Sequence, residues 1–349
     1  MTLGQSCCCP DAFSGLTPIV PLRKKDVPVA GTVLSAQDVF GSWKVRLGIG
    51  RVSYKVDPGL YAVGSPGSDS PVLVSANYKL TFDILRKNLS GLDCWLLLLD
   101  TNGVNVWSAA GKGTFSTDEL VRQIEQAGLF GLVTHRKIIV PQLGAPGVSA
   151  HELARRTGFS VIYGPVRASD IKAFIASGYV ATREMRTVQF TLRDRLLLTP
   201  VDLIAAAKKS LLLFGVLFLL NLIATRPFGL YDVIVYAGAV LTGMLVTPAL
   251  LPWIPGRAFA WKGWLTGLFW TMAVLLYVNE FSRMAMAGYL LLLPALSAWF
   301  ALNFTGASTC TSPSGVLKEM RIALPLIIGS AGIGALLLVA QAFFTGKPL

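Results

Sequence analysis

Cys94-Trp95-Leu96-Leu97-Leu98-Leu99-Asp100, then Asn105-Val106-Trp107-Ser108-Ala109-Ala110-Gly111-Lys112-Gly113, then Ser116-Thr117-Asp118-Glu119 is the stretch on which the reading of this chain turns. The first run is apolar without alternation, as a strand buried on both faces of a sheet requires. Ser116 with Glu119 three residues on is a capping-box pattern, so a helix is expected over 117–127, closed by Gly128. The residues between them are small and glycine-rich and read as a loop. A buried strand, a small-residue loop and a helix, in that order, form the junction at which α/β folds bind cofactors.

The alternation extends in both directions. Strands are expected at 71–75, 93–100, 137–140, 160–163 and 187–192. Helices are expected at 80–89, 149–156 and 169–176, the second opened by the capping pair Ser149 and Glu152, and Gly91 and Gly178 act as stops. Such an order argues for a mainly parallel sheet with helices on both faces. Upstream, Gly48, Gly50, Pro58, Gly59, Gly64, Pro66 and Gly67 punctuate residues 40–70 into short strands and turns, and Pro10, Pro18, Pro21 and Pro28 make 1–28 a flexible tail.

From Ser210 onward the composition changes. The whole chain of 349 residues is 53% hydrophobic and only 14% charged, and the excess sits in the second half. Five segments approach the ~20 apolar residues that a membrane-crossing helix needs, near 209–224, 231–251, 263–279, 284–304 and 322–344. They have almost no polar face, unlike helices of a soluble core. Arg193, Arg195, Lys208, Lys209, Arg257, Lys262, Lys318 and Arg321 fall on one side of such a bundle and Arg226, Arg283 and Lys347 on the other. The positive-inside rule then makes the N-terminal domain cytoplasmic and the protein a multi-pass protein of the cell membrane, in contact with membrane lipid. The net charge of +12 is in part this topological bias. No interleaved basic and aromatic patch points to nucleic acid. The first twenty residues lack the features of a secretory signal. The expected domains are a tail (1–28), an α/β domain (29–200) and a transmembrane domain of five helices (201–349).

The candidate site is the loop after the buried strand. Gly103, Gly111 and Gly113 let backbone approach a large planar ligand, Ala109 and Ala110 remove bulk, and Trp107 offers an aromatic wall. Composition alone leaves an ordinary strand–helix loop as the alternative. The stretch has neither the dinucleotide fingerprint nor the P-loop spacing. Adjacent thiols at Cys7, Cys8 and Cys9 suit capture of a soft cation such as Hg(II), and an incidental tail or a lipidation site is the alternative. His135 and His151 read as surface residues and Cys94 as core packing. The hydroxyl-rich loop 305–321 reads either as a plain connection or as a contact for the α/β domain or its partner. Asn221, Asn279 and Glu280 sit at segment ends, and no ion pathway is evident.

Several motifs occur in order: Pro58-Gly59-Leu60-Tyr61-Ala62-Val63-Gly64, Ala76-Asn77-Tyr78-Lys79-Leu80, Leu99-Asp100-Thr101 and the run Asn105 to Phe115. They continue with Pro141-Gln142-Leu143-Gly144-Ala145-Pro146-Gly147-Val148, Val161-Ile162-Tyr163-Gly164-Pro165-Val166-Arg167, Asn303-Phe304-Thr305-Gly306 and Ser312-Pro313-Ser314-Gly315-Val316. Together they resemble the mercury-methylating corrinoid proteins. The last two also resemble the corrinoid iron–sulfur proteins of the acetyl-CoA pathway. The resemblance implies a Rossmann-like α/β domain that binds a cobalamin-type corrinoid, with its cobalt, followed by an all-α transmembrane anchor. Its cofactor-binding residues would be Thr101, Asn105, Val106, Trp107, Ser108, Ala109, Ala110, Gly111, Lys112 and Gly113. It further implies a folate-derived methyl group loaded by a separate methyltransferase, a ferredoxin-like iron–sulfur protein as reductant and mercury donor, and passage of the methyl to Hg(II).

Ser108 stands where that family has a cysteine, the lower axial ligand and the position assigned to catalysis. A thiolate is a soft, strong donor, whereas an alcohol stays protonated near neutral pH. An engineered change, a natural divergent member and weak ligation by the hydroxyl are all compatible with the sequence. The expected function is corrinoid-dependent methyl transfer to Hg(II). The alternatives are a corrinoid methyl carrier of one-carbon metabolism and a corrinoid-binding membrane protein without catalysis.

Overall fold

A computed structural model describes residues 27–222, 228–277, 281–307 and 313–344. The chain divides into two compact units. One holds the described residues up to Ser42 with Gly50–Val188, and the other holds Trp43–Ile49 with Gln189–Leu349.

The first unit is a doubly wound α/β sheet. Its strands are β1 (Gly59–Val63), β2 (Val72–Ala76), β3 (Cys94–Leu99), β4 (Lys137–Val140) and β5 (Ser160–Tyr163), in the order β1-β3-β2-β4-β5. β3, β2, β4 and β5 are parallel, and β1 is an antiparallel edge paired Gly59 to Leu98 through Val63 to Cys94. The sheet is therefore mixed. The helices are α1 (Ala36–Arg46), whose residues from Trp43 on are assigned to the second unit, α2 (Lys79–Asn88), α3 (Val106–Lys112), α4 (Thr117–Gln126), α5 (Leu129–Leu132), α6 (Ala150–Thr157), α7 (Ile171–Ala176) and α8 (Arg183–Arg186).

The strand–helix alternation matches the sequence pattern, with three departures. Residues 36–46 form helix α1 where turns were expected, because Asp38 and Ser35 close an N-terminal capping pair there. No strand forms at 187–192. Thr182 caps the single turn α8 instead, and Thr191 with Asp194 makes a reciprocal capping box for the next helix. The small-residue loop after β3 is itself largely helical, as α3. Asn105 accepts from Ser108 N at 2.9 Å as its N-cap, and Gly113 ends it in the left-handed region at φ 78°.

β3 explains the layering. Alternate residues of a strand face opposite sides. Trp95, Leu97 and Leu99 join the core under α3, α4 and α6, whereas Cys94, Leu96 and Leu98 join the core under α2 and α7. All six residues of β3 are buried. Burial pushes the Cys94 thiol up to about 12, so it is an inert core residue.

The second unit is helical: α9 (Leu192–Leu196), α10 (Thr199–Asn221), α11 (Leu230–Leu241), a π-turn at Thr242–Val246 leading into α12 (Thr247–Leu250), α13 (Phe259–Tyr277), α14 (Arg283–Asn303) and α15 (Pro313–Phe344). Among the described residues, five stretches are long and apolar enough to cross a membrane: Leu192–Leu220, Leu230–Leu250, Phe259–Tyr277, Arg283–Asn303 and Ser314–Phe343. The first and last start earlier than their apolar runs, because Asp202, Lys208, Lys209, Lys318, Glu319 and Arg321 interrupt hydropathy without interrupting the helix. Packing is close where side chains are small. Gly243, Gly263 and Gly267 lie against α14 around Ser297 and Pro294, where an added Cβ would collide. Several buried hydroxyls are paired, as in Thr247 Oγ1 with Thr266 Oγ1 at 2.6 Å and Ser297 Oγ donating to Ala239 O at 2.7 Å, whereas the Thr199 hydroxyl is buried without a partner among the described residues.

Candidate functional site at the carboxyl edge of the sheet

In a doubly wound sheet the chain leaves the central strands in opposite directions, and a crevice opens outside their carboxyl ends. Here β3 lies on one side of β2, and β4 and β5 on the other. The segments that follow are Asn77-Tyr78 after β2, Asp100 to Lys112 after β3, Pro141 to Gly147 after β4 and Gly164-Pro165 after β5. The motifs picked out between residues 76 and 167 thus converge on one edge, although they are dispersed along that stretch.

Asn77 organises that edge. It is 1% exposed. Its Oδ1 accepts from Thr101 N at 3.1 Å, Thr101 Oγ1 at 2.9 Å and Gly103 N at 3.1 Å, and its Nδ2 donates to Asp100 Oδ1 at 3.0 Å. The Thr101 hydroxyl also lies 2.6 Å from Val104 O, so its one proton serves two acceptors. The turn this fixes needs Asn102 at φ 55° and Gly103 at φ 70°, and Gly103 is held against Val52 O and Lys55. Asp100 N donates to Glu119 Oε1 at 2.8 Å. Glu119 therefore ties α4 to the end of β3, which is why the expected capping box at Ser116 is only half formed: Ser116 Oγ accepts from Glu119 N at 3.3 Å, and the carboxylate is spent elsewhere.

Among the sequence-predicted residues, Thr101 is fully buried, Val106, Ala109 and Ala110 face the core, and Asn105, Trp107 and Ser108 are half-buried. Gly111, Lys112 and Gly113 are exposed. Among the described residues the Ser108 hydroxyl makes no hydrogen bond; only its backbone N–H is engaged, by Asn105. Nothing lies within 4 Å of a Cβ added at Gly111 or Gly113. The opposite holds on the α3 flank toward β4. Gly144 lies against the Phe115 ring, at 2.5 Å from an added Cβ, and Gly147 packs on the Phe115 carbonyl and on Ala110. These two glycines bring the turn after β4 onto α3.

Gln142 and Asn77 are site residues that the residue-by-residue reading left out, although both lie within quoted motifs. Gln142 Oε1 is buried and has no hydrogen-bond partner among the described residues. A buried, unpaired acceptor is uncommon in native proteins and calls for an explanation. The signal was positional: both residues are among the first after a parallel strand.

A second polar cluster flanks the same edge. Lys79, the first residue of α2, contacts Asp38 at 2.6 Å and Asp83 at 2.9 Å, and Arg86 contacts Asp38 at 2.7 Å and Asp83 at 2.8 Å. Lys79 holds the Asp38 carboxyl well below the usual carboxylate range, against the opposing effect of burial. Burial works against the charge on Lys79, and its bonds to Asp38 and Asp83 outweigh it and raise its pKa. The four charges neutralise one another and fasten residues 31–38 to α2, with Arg86 also donating to Gly31 O and Val33 O.

Cys7, Cys8 and Cys9 lie outside the described residues. His135 is half-buried rather than on the surface, because its Nε2 contacts Ser70 O at 2.9 Å and its Nδ1 accepts from Lys137 N at 3.2 Å. His151 is exposed. Of the loop 305–321, Phe304–Ala307 is a 3-10 turn and the part from Pro313 is the start of α15. No group of three metal-ligating side chains occurs among the described residues.

Residues 49–175 match the family described as CO dehydrogenase/acetyl-CoA synthase delta subunit. Among curated proteins, 127 residues are 32% identical to the acetyl-CoA decarbonylase/synthase complex subunit gamma of Methanopyrus kandleri, covering 36% of this chain and 27% of that one. The subunit gamma of Methanosarcina acetivorans is 34% identical over 133 residues, 37% of this chain and 28% of its own. Subunit gamma 2 of Methanosarcina thermophila is 37% identical over 121 residues, 33% and 25% of the two chains. The chain is similar to these subunits over one region. It spans little more than a quarter of their length, and the family match ends before the helical unit begins.

These matches overturn the expected kinship with mercury-methylating proteins, and with it the expected methyl transfer to Hg(II). They name subunits of acetyl-CoA complexes. The chemistry agrees, since position 108 offers a neutral hydroxyl and not the soft thiolate on which that transfer was argued. The similarity to subunits of acetyl-CoA complexes covers the sheet and its carboxyl edge, and the family match does not reach the two short motifs at 303–316 on which that resemblance was first read.

Proposed function

We propose that this chain is a corrinoid methyl carrier of one-carbon metabolism, tethered to a membrane by its helical unit. The observation that carries the reading is that the region of similarity takes in every segment converging on the carboxyl edge between β1 and β5, where doubly wound folds bind ligands. The residues there suit a large planar group. Gly111 leaves open space above α3, Trp107 is half-buried beside it, and Gln142 keeps an unpaired acceptor that suits the amide side arms of a corrin ring. A bound corrinoid supplies a cobalt centre that takes up and releases a methyl group.

The chain's own part is binding and exclusion. Asn77 and Thr101 fix the turn after β3, Asn105 orients α3, and Gly144 with Gly147 closes the turn after β4 against it. Ser108 presents an uncharged hydroxyl, so this position contributes no thiolate ligand and retention rests on shape and hydrogen bonds. Partner proteins follow from the relatives, which are subunits of a multi-subunit complex. A methyltransferase that loads the folate-derived methyl group and an iron–sulfur protein that restores the reduced corrinoid fit that role. Membrane attachment with the α/β unit on the cytoplasmic side is supported by the five apolar helices and the basic bias of one set of connections.

The test is to mix the full-length, detergent-solubilised chain with methylcobalamin, remove free cofactor by gel filtration, and offer the retained methyl group to a thiol or nickel acceptor. The carrier reading expects retained corrinoid and methyl release. Retention without release supports a non-catalytic corrinoid binder, and no retention contradicts both.

A further inference from the structure

The helical unit contains an apolar cavity of about 620 Å³ bounded by α10, α11, α14 and α15, with Phe214, Val235, Leu292 and Ala335 on its walls. Its volume lies within the range of small-molecule sites, and it is a cleft open on one side, so a long chain can enter it from between the helices. One end is polar. Asp232 Oδ1 accepts from the Tyr289 hydroxyl at 2.5 Å and its Oδ2 accepts from Gly229 N at 2.8 Å. Beyond this pair a recess of about 20 Å³ shares Phe228, Asp232, Tyr289 and Leu338 with the cavity and adds Gln341, room for a water or a single hydroxyl group.

We infer that this cavity binds a membrane lipid with a long apolar chain and an uncharged hydroxyl head, the chain among the helices and the head in the recess beside Asp232. Among the described residues, Asp232 is the one acidic residue of the lining, and the lining holds no Lys or Arg. A carboxylate has about four acceptor positions, and two are in use among the described residues, so a hydroxyl donor is accommodated. An anionic head would meet the same-sign charge of Asp232 with no cation among the described lining residues to offset it. The inference rests on the membrane reading of this unit and names a ligand class that the acetyl-CoA relatives do not suggest.

The experiment uses the full chain in detergent and two probes that share a diazirine-bearing sixteen-carbon chain, hexadecanol and hexadecanoic acid. Photolabelling is mapped by mass spectrometry. The alcohol is expected to label peptides of α10, α11, α14 and α15 at the cavity walls, and the acid roughly tenfold less, a difference of about 1.4 kcal/mol. Ala335→Trp, which fills the cavity, is expected to abolish that labelling. Asp232→Asn removes the charge without filling the space and is expected to raise acid labelling to the level of the alcohol. Equal labelling by both probes in the unaltered chain overturns the inference, as does labelling confined to outward-facing positions such as Leu211 and Leu326. Resistance of the chain to alkaline carbonate extraction is measured in parallel. A chain that resists extraction but fails to take the alcohol refutes the lipid site alone, and a chain released by carbonate refutes the membrane reading.

Discussion

The two units solve opposite problems of burial. In the α/β unit the apolar residues are inside: Leu96 to Leu99 and Ile138 to Val140 are almost wholly covered, and polar groups gather at one edge under the control of Asn77. In the helical unit many large apolar residues point outward, with Leu211, Leu212, Phe269 and Leu276 exposed, while Thr247, Thr271 and Ser297 are buried at helix contacts. The first pattern suits water and the second suits lipid, where small residues and hydroxyls mediate helix packing. Similarity to the acetyl-CoA subunits follows this division. It covers the unit whose polar groups are collected at an edge and stops before the unit whose polar groups are spent on packing.

The contrast breaks most readily at the hub of the edge. Asn77→Ala leaves buried N–H groups of Thr101 and Gly103 without an acceptor, and a cost of roughly 3–5 kcal/mol is expected. Hydrogen exchange should show it as lost protection in β2 and β3, with the helical unit unchanged. Gly267→Leu is the converse. Overpacking against Ser297 and Pro294 is expected to cost about 1–3 kcal/mol or more, read as faster exchange in α13 and α14 while the sheet keeps its protection. If either substitution loosens both units equally, the division is wrong.

Smaller effects sharpen the picture within the α/β unit. The Asp38 carboxyl is depressed by Lys79, so its contribution is present above the unfolded-state pKa and is lost as pH falls through the acid range toward its folded value. Acid titration should therefore show stability declining below about pH 4, and Asp38→Asn should flatten that decline while lowering stability near neutrality. Cys94 should resist thiol reagents at pH 8 until the sheet unfolds, since burial holds it as the thiol. Labelling at the rate of a free thiol would mean that β3 is not buried as described.

Most of the α/β architecture was legible from periodicity and punctuation, because β3 and its neighbours are buried on both faces and carry unbroken apolar runs. The antiparallel edge β1 fell among the short strands expected over 40–70, but its bounds and pairing were not legible, since a short strand inside a glycine- and proline-rich segment has no periodic signature. Helix α3 was missed for a related reason. Gly111 and Gly113 suggested a loop, but Ala109-Ala110 favours helix, and Asn105 with Gly113 marks its two ends. At the site, Trp107, Ser108 and Gly111 stood out by composition. Asn77 and Gln142 did not, because their roles come from the strands that end just before them. The small residues that first suggested a mercury methylator lie inside the region matched to the acetyl-CoA subunits.

The central claim is that the open face of α3 cradles a corrinoid. It is tested by the visible spectrum of the full chain after incubation with aquocobalamin and gel filtration, for the unaltered protein and for Gly111→Leu. The added side chain meets nothing in the folded chain and replaces a helix-interior glycine, so stability should rise by up to about 1 kcal/mol. The account predicts that the unaltered chain retains cobalamin and that the more stable variant loses it. Equal retention by both, or none by the unaltered chain, would contradict it.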